Sequence, residues 1–223
     1  MIDICFDSPA QTVYAMLRAN GLVADAPIMR WPDNLTVGHL VPFTAHDRAR
    51  VLIDMGETLS SSFEADWCAF VDALKASDGI RAWITRTSHE AIALALTCSL
   101  VSKHATVETI DLSHVCQHLN TYGELPTNLA LRTKAIDVER QSASWAEALR
   151  KNTCLRTMPN KGILNLPVSA FDHDISEAAK TSPTGRVEDI AVRASDACAR
   201  VSGGPITPVF FAWRARFLGL GKK

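Results

Sequence analysis

Short apolar runs alternate with stretches of helical periodicity through the first half of the chain. The runs cover residues 2–6, 26–31, 80–86 and 106–110, and each has the length and composition of a strand. Between them, apolar residues recur every three or four positions, which predicts helices. The resulting order, β-α-β-α-α-β-α-β, is typical of a parallel sheet with helices on both faces.

Helix start signals support this order at two places. Ser8 followed by Pro9 predicts an N-cap and a first helical residue directly after the first strand. Thr87 and Glu90 have the spacing of a capping box ahead of the apolar stretch 90–102. Both signals place polar residues at the carboxyl ends of predicted strands.

The second half of the chain has a different character. Helices are predicted over 134–152, about 186–201 and about 208–218, with a hairpin within 155–167 that turns at 159–162. We therefore expect two domains. Residues 1–125 form an α/β domain with an open, mostly parallel, four-stranded sheet of flavodoxin-like or Rossmann-like type, and residues 126–223 form a small, mainly α-helical domain.

Charge is divided unevenly between these halves. Residues 1–130 carry 8 Lys and Arg against 15 Asp and Glu, whereas residues 131–223 carry 15 against 9. This change of sign suggests two structural units with complementary surfaces, although uneven solvated faces would give the same counts. The net charge of −1 indicates neither a nucleic acid nor a membrane as partner.

The chain starts directly in a strand pattern, without the basic and apolar regions of a signal peptide. Its longest apolar stretch, residues 91–101, is too short to cross a bilayer. Six dispersed cysteines without a CxxC pair are typical of reduced, buried thiols. We therefore expect a cytoplasmic protein, and the sequence identifies no cofactor.

Polar clusters follow the predicted strands at Asp7-Ser8, Asp33-Asn34, residues 87–90 and Asp111. Open α/β sheets bind ligands outside the carboxyl ends of their strands, at the point where the strand order reverses. In a 2-1-3-4 order, this point lies between the first and third strands. We therefore expect Asp7-Ser8 and Thr87-Ser88 to converge over a common cleft.

Two helix N-termini and several arginines at that cleft would suit a phosphate or carboxylate. Helix capping explains Ser8, Thr87 and Glu90 equally well, and a turn explains Asp33-Asn34. The residues predicted to bind the ligand, by orienting or neutralising it, are Asp7, Ser8, Arg30, Asp33, Asn34, Arg86, Ser88, His89 and Arg156.

The sequence lacks the motifs of several other kinds of functional site. Neither GxGxxG nor GxxxxGK[ST] occurs, which argues against a bound dinucleotide or a P-loop. No GxSxG marks a serine hydrolase. His114, Cys116 and His118 cannot all face one metal from a single helix, so no metal site is predicted. The basic carboxyl half lacks the clustered stripe of a nucleic-acid module.

The run Trp-Pro-Asp-Asn-Leu-Thr-Val-Gly-His at 31–39, together with the opening strand and Asp7-Ser8, resembles the bacterial family called domain of unknown function 1835. Members open with a strand ending in Gly-Asp-Ser, where this chain has Phe6-Asp7-Ser8. Trp83 with Ser88 and Glu90 also resembles that family. The carboxyl part is similar to domain of unknown function 3658, through Trp145, Leu149, Asn152, Leu155-Arg156, Gly162, Phe171-Asp172 and Trp213-Arg214. The resemblance implies the two-part layout and no particular reaction.

We expect a cytosolic protein that binds a small anionic metabolite at the strand ends, and the sequence leaves open whether it also acts on that metabolite. The alternative is a non-catalytic interaction protein, such as a regulatory or toxin-neutralising partner. The charge asymmetry and the lack of a catalytic motif favour that alternative.

Overall fold

The computed structural model describes residues 1–102, 104–127, 129–158, 163–202 and 206–221. The chain divides into two compact units, residues 1–33 with 65–146 and residues 34–64 with 147–223. This division differs from the predicted boundary at residue 125, because residues 126–146 belong to the first unit and residues 34–64 belong to the second. Long-range backbone bonds such as Gly38 N to Cys154 O (2.8 Å) tie that segment to the second unit, and no local pattern reveals them.

Strands and helices alternate along the chain. In order they are β1 (Ile2–Cys5), α1 (Ser8–Ala19), β2 (Ile28–Arg30), α2 (Ala45–Asp54), α3 (Phe63–Ala76), β3 (Gly79–Ile84), α4 (Ser88–Leu100), β4 (Thr106–Asp111), α5 (Ser113–Tyr122), β5 (Thr133–Ala135), α6 (Val138–Lys151), β6 (Leu155–Thr157), β7 (Leu164–Leu166), α7 (Asp172–Thr181), α8 (Val187–Ser202) and α9 (Pro208–Phe217).

The first unit contains a sheet in the order β2-β1-β3-β4-β5. The first four strands are parallel and β5 runs antiparallel to β4. The predicted α/β class, with an open, mostly parallel sheet flanked by helices, is therefore confirmed. The fifth strand is an addition: residues 133–135 pair with β4, so the helix predicted from residue 134 begins only at Val138.

Helices cover both faces of this sheet. The connections β1-α1-β2 and β3-α4-β4 progress in opposite directions across the sheet, so right-handed crossovers place α1 and α4 on opposite faces. On the α1 face, the Tyr14 ring meets Trp83 edge-on at 4.9 Å, within a cluster that includes Cys5 and Ile110. Elsewhere in this unit, Trp31 packs against Trp67 and Phe70 of α3.

A buried acid fixes β1 against β3. Asp3 lies opposite Arg81 and accepts hydrogen bonds from Arg81 Nε (2.6 Å) and Trp83 Nε1 (2.7 Å). Burial acts to raise the pKa of Asp3, but the bonds from Arg81 and Trp83 outweigh it and lower the pKa below its usual value. Because a shift by one residue would break these bonds, they help to set where the loops after β1 and β3 meet.

The second unit consists of the β6–β7 hairpin and helices that include α7, α8 and α9. Phe171, Phe210 and Phe211 pack in its core, and Asp172 accepts two hydrogen bonds of 2.7 Å from Arg214. The antiparallel pairing of β6 and β7 confirms the predicted hairpin, whereas its predicted turn at 159–162 lies outside the described residues. Within the described ranges, no helix has the length and apolar character needed to cross a membrane.

Candidate functional site

The loops after β1 and β3 meet at the carboxyl edge of the parallel sheet. Thr85, just past β3, donates from Oγ1 to Asp7 Oδ2 at 3.0 Å, and His89 Nε2 lies 2.9 Å from Phe6 O. The two loops therefore converge, as the 2-1-3-4 order predicts. Their facing polar groups bond to each other across the junction.

Asp7 closes the amino end of α1. Its Oδ1 accepts from Ala10 N at 2.8 Å, and its backbone is extended, as N-cap residues require. The prediction of Ser8 as N-cap is wrong: Ser8 is the first helical residue and its side chain is exposed. Asp and Ser cap helices about equally well, so two adjacent candidates could not be ordered from sequence.

The capping box at α4 is confirmed. Thr87 Oγ1 accepts from Glu90 N at 3.2 Å, and Glu90 Oε2 accepts from Thr87 N at 2.9 Å. Glu90 is only 1% exposed and also accepts from Thr85 N at 2.8 Å. Burial, and then the nearby charge of Asp7, raise the pKa of Glu90 to about 7, against the lowering effect of these hydrogen bonds.

His89, in the first turn of α4, contacts the chain just past the end of β1. Because Phe6 O can only accept, Nε2 of His89 carries the proton and Nδ1 carries the lone pair. Nδ1 is buried and has no hydrogen-bond partner among the described residues. Burial lowers the pKa of His89 below its usual value, although Asp33 and Asp7 act to raise it, so this lone pair persists at neutral pH.

Two further predicted residues come from the end of β2. Arg30 is its last residue, pairs in register with Cys5 and is exposed. Asp33 follows shortly after and is 2% exposed. The charges of these two residues act on the pKa of His89 in opposite directions, since Asp33 raises it and Arg30 lowers it.

Arg86 occupies the β4 side of the same edge. Its backbone is left-handed (φ 62°), and its guanidinium Nε lies 2.5 Å from Asp111 Oδ2. With 72% of the Arg86 side chain exposed, this ion pair adds little stability. Nearby, Ser113 donates from Oγ to Thr85 O at 3.0 Å, which links the end of β4 to the loop after β3.

The remaining predicted residues have other surroundings. Ser88 is 3% exposed at the start of α4. Asn34 and Arg156 belong to the second unit, where Asn34 Oδ1 accepts from Thr36 N at 3.1 Å in a local turn. Arg156 is completely buried, and its guanidinium donates to the carbonyls of Leu35, Gly38 and Thr153.

A second buried arginine supports the same loop of the second unit. Arg48, in α2, donates to His39 O at 2.7 Å, Val37 O at 3.0 Å and Asn34 O at 3.2 Å. Buried carbonyls need donors, so the two guanidiniums satisfy much of the backbone between residues 34 and 39.

Sequence reasoning missed Thr85 as a site residue and assigned Glu90 only to capping. Thr85 bridges the two loops because it directly follows β3, at the level of Asp7. A capping-box glutamate is usually exposed, so its spacing gives no sign of burial beside a second carboxylate. The one sequence signal for Thr85 is that a polar residue lies two positions before Thr87, where the capping box begins.

The first unit also has a groove, which lies away from this edge of the sheet. It runs along α1 towards the amino end of β2 and is lined by residues that include Tyr14, Arg18, Asp25 and Ile28. None of the predicted ligand-binding residues lines it. Within the described part of the chain, no cluster of three or more His, Cys, Asp or Glu side chains could hold a metal ion.

Comparison with protein-family models, with curated proteins and with solved structures returned no match to this chain. The resemblance to the two domains of unknown function therefore stays a prediction. The site has to be interpreted from its own geometry.

Proposed function

We propose that the protein binds a small anionic metabolite, bearing a phosphate or carboxylate group, at the carboxyl edge of β1, β2 and β3. The observation that carries this proposal is that the loops bearing Asp7 and His89 meet between β1 and β3, where the strand order reverses, while Arg30 ends the neighbouring strand β2. Open α/β sheets place their ligands at this point.

Arg30 supplies the positive charge. Its guanidinium is exposed and has no ion pair within the described ranges, so an incoming anion need not displace a protein partner. A guanidinium binds phosphate and carboxylate through two parallel hydrogen bonds. The amino ends of α1 and α4 lie at the same edge, and the backbone N–H groups that Asp7 and Thr87 leave uncapped add partial positive charge.

His89 indicates what else the ligand carries. A buried Nδ1 lone pair without a donor costs free energy, and a ligand hydroxyl or amine would satisfy it once the groups that cover Nδ1 move aside. A metabolite with an anionic group for Arg30 and a hydroxyl or amine for His89 meets both needs. The negative charges of Asp7 and Asp33 would repel a second anionic group on the ligand next to the one that Arg30 binds.

The test uses inorganic phosphate as probe and Arg30→Ala as variant. At ten times its dissociation constant, phosphate should stabilise the wild type by about 1.4 kcal/mol, or about 4 °C in melting temperature. Arg30→Ala should lose most of that increase because the anion loses its counter-charge. Melting curves in phosphate, against chloride at equal ionic strength, measure the effect.

Lys75→Ala is the matched control, since it removes one exposed positive charge from the last turn of α3, before the amino end of β3. General salt effects on stability act on both variants alike. The proposal fails if Arg30→Ala retains the wild-type response to phosphate, or if Lys75→Ala loses as much.

A further inference from the structure

One hydroxyl stands between two carboxyl groups at the candidate site. Thr85 Oγ1 lies 3.0 Å from Asp7 Oδ2 and 3.1 Å from Glu90 Oε2. A threonine hydroxyl has a single hydrogen and can donate it to only one of these oxygens. If both carboxyl groups were ionised, the second contact would bring two acceptors together with no hydrogen between them.

We propose that Asp7 and Glu90 hold one proton between them across the Thr85 hydroxyl at neutral pH, which makes this edge of the sheet a site of proton exchange with its ligand. In the resting arrangement, Glu90 carries the proton and donates to Thr85 Oγ1, which donates to Asp7. Each of the two contacts then has one hydrogen, and Asp7 remains the charged member of the pair.

Burial decides which carboxyl group is neutral. Glu90 is 1% exposed, whereas Asp7 is half-buried and also accepts from Ala10 N at the start of α1. Although Glu90 accepts from two backbone N–H groups, those of Thr85 and Thr87, its deeper burial penalises its charged form more than that of Asp7. The direction of the pKa shift at Glu90, which burial and Asp7 raise to about 7, agrees with this assignment.

Proton exchange along this chain balances without any co-reactant. When Asp7 takes the hydroxyl hydrogen of Thr85, the proton of Glu90 replaces it on Oγ1, and the negative charge moves from Asp7 to Glu90. One O–H bond breaks and one forms at Thr85, and no electrons are gained or lost. Asp7, the more exposed member, is the end that a ligand could reach.

Other charged or titratable groups lie near the pair on the neighbouring elements. They are Cys5 of β1, Arg30 of β2, Asp33 after β2, Arg86 after β3, His89 of α4, Asp111 of β4 and Cys116 of α5. Burial raises the pKa of both thiols, Cys5 to about 12, so neither cysteine ionises near neutral pH.

The coupling to a ligand rests on the proposed function. With one proton on the pair, an anion at Arg30 faces one fewer negative charge. Affinity for sulfate, which does not itself titrate near neutrality, should fall several-fold from about pH 6 to about pH 8. Glu90→Gln, which is neutral at every pH and keeps a capping-box residue, should remove most of that dependence.

The direct test follows the side-chain carboxyl carbons of the ligand-free protein by ¹³C NMR between about pH 5 and pH 9. One glutamate resonance should titrate near neutral pH, and Glu90→Gln should remove it. Asp7→Asn keeps an N-cap but removes the neighbouring charge, so it should shift that midpoint down by about one unit. Asp78→Asn, just before the amino end of β3, is the matched control and should leave it unchanged.

The inference is overturned if every glutamate resonance has titrated by about pH 5.5, or if Asp7→Asn leaves the neutral midpoint in place. This NMR titration uses the ligand-free protein, so its outcome does not depend on whether the protein binds an anion. A protein that shows the shared proton but binds no sulfate at any pH would instead contradict the proposed function and leave the proton assignment standing.

Discussion

Replacing Arg156 by methionine is expected to lower the free energy of unfolding by about 4 kcal/mol. Arg156 is fully buried and donates through Nε to Leu35 O at 2.8 Å and through its terminal nitrogens to Thr153 O and Gly38 O. Methionine fills similar space but leaves three carbonyls without their donor, and each buried acceptor left unpaired costs about 1–3 kcal/mol. Urea denaturation measures the loss.

Two further variants separate geometry from charge. Arg156→Lys keeps the charge, but one ammonium group cannot reach three carbonyls in the fork geometry, so it should recover less than half of the loss. Arg50→Met, at an exposed position of α2, should stay within about 0.5 kcal/mol of the wild type. A loss below about 1 kcal/mol for Arg156→Met would contradict the supporting role of this residue.

The second large effect is a dependence of stability on pH that originates at Glu90. Burial, and then the charge of Asp7, raise the pKa of Glu90 from its ordinary 4.5 to about 7 in the folded protein. The folded state therefore binds a proton more tightly than the unfolded state, and this favours folding at low pH. The contribution is complete below about pH 4.5 and is lost as pH rises through about 7, for a total on the order of 3 kcal/mol.

The difference between wild type and Glu90→Gln isolates this contribution. His89 acts in the opposite direction. Its pKa is lower in the folded protein than in the unfolded chain, so its contribution to stability rises with pH until the pKa of the unfolded chain is passed. Both proteins contain His89, so this contribution cancels in the difference. Unfolding free energies from about pH 4.5 to pH 8 should give a difference that falls and then levels off above about pH 7. A difference that is flat, or that rises with pH, would contradict the assignment.

The architecture of the first unit could largely be predicted because its signals are local. Alternating apolar runs and helical stretches, with the Thr87–Glu90 capping box, predict a parallel α/β sheet, and right-handed crossovers limit its topology. By contrast, β5 is three exposed residues long and has no alternation to detect. Its pairing with β4 supplies all that defines it as a strand.

Long-range contacts explain what the sequence did not reveal about the second unit. Arg156 bonds to Leu35, 121 positions away, and to Gly38, 118 positions away. An arginine that satisfies backbone carbonyls has the same local pattern as one that binds an anion. Such contacts also join the segment 34–64 to the second unit, and the pairing of β5 with β4 keeps the chain beyond residue 125 in the first unit, so the predicted boundary differs from the observed division.

The candidate site could be predicted in part, because some of its residues follow from local signals and others from long-range contacts. Asp7, Arg30, Asp33 and His89 come together because each closes or follows a strand of one parallel sheet, which the pattern could predict. The contact of Thr85 with both carboxyl groups depends on the register of β1 against β3. That register is set in part by the buried bonds of Asp3, which a single sequence does not show.

The most direct measurement of the central claim is an amide NMR titration of the protein with inorganic phosphate. If the carboxyl edge of β1, β2 and β3 binds an anion, the largest saturable shifts should fall on the amides of Ser8, Arg30, Ser88 and His89, and Arg30→Ala should remove them. Saturable shifts confined to other parts of the chain, with these four amides unmoved, would contradict the account.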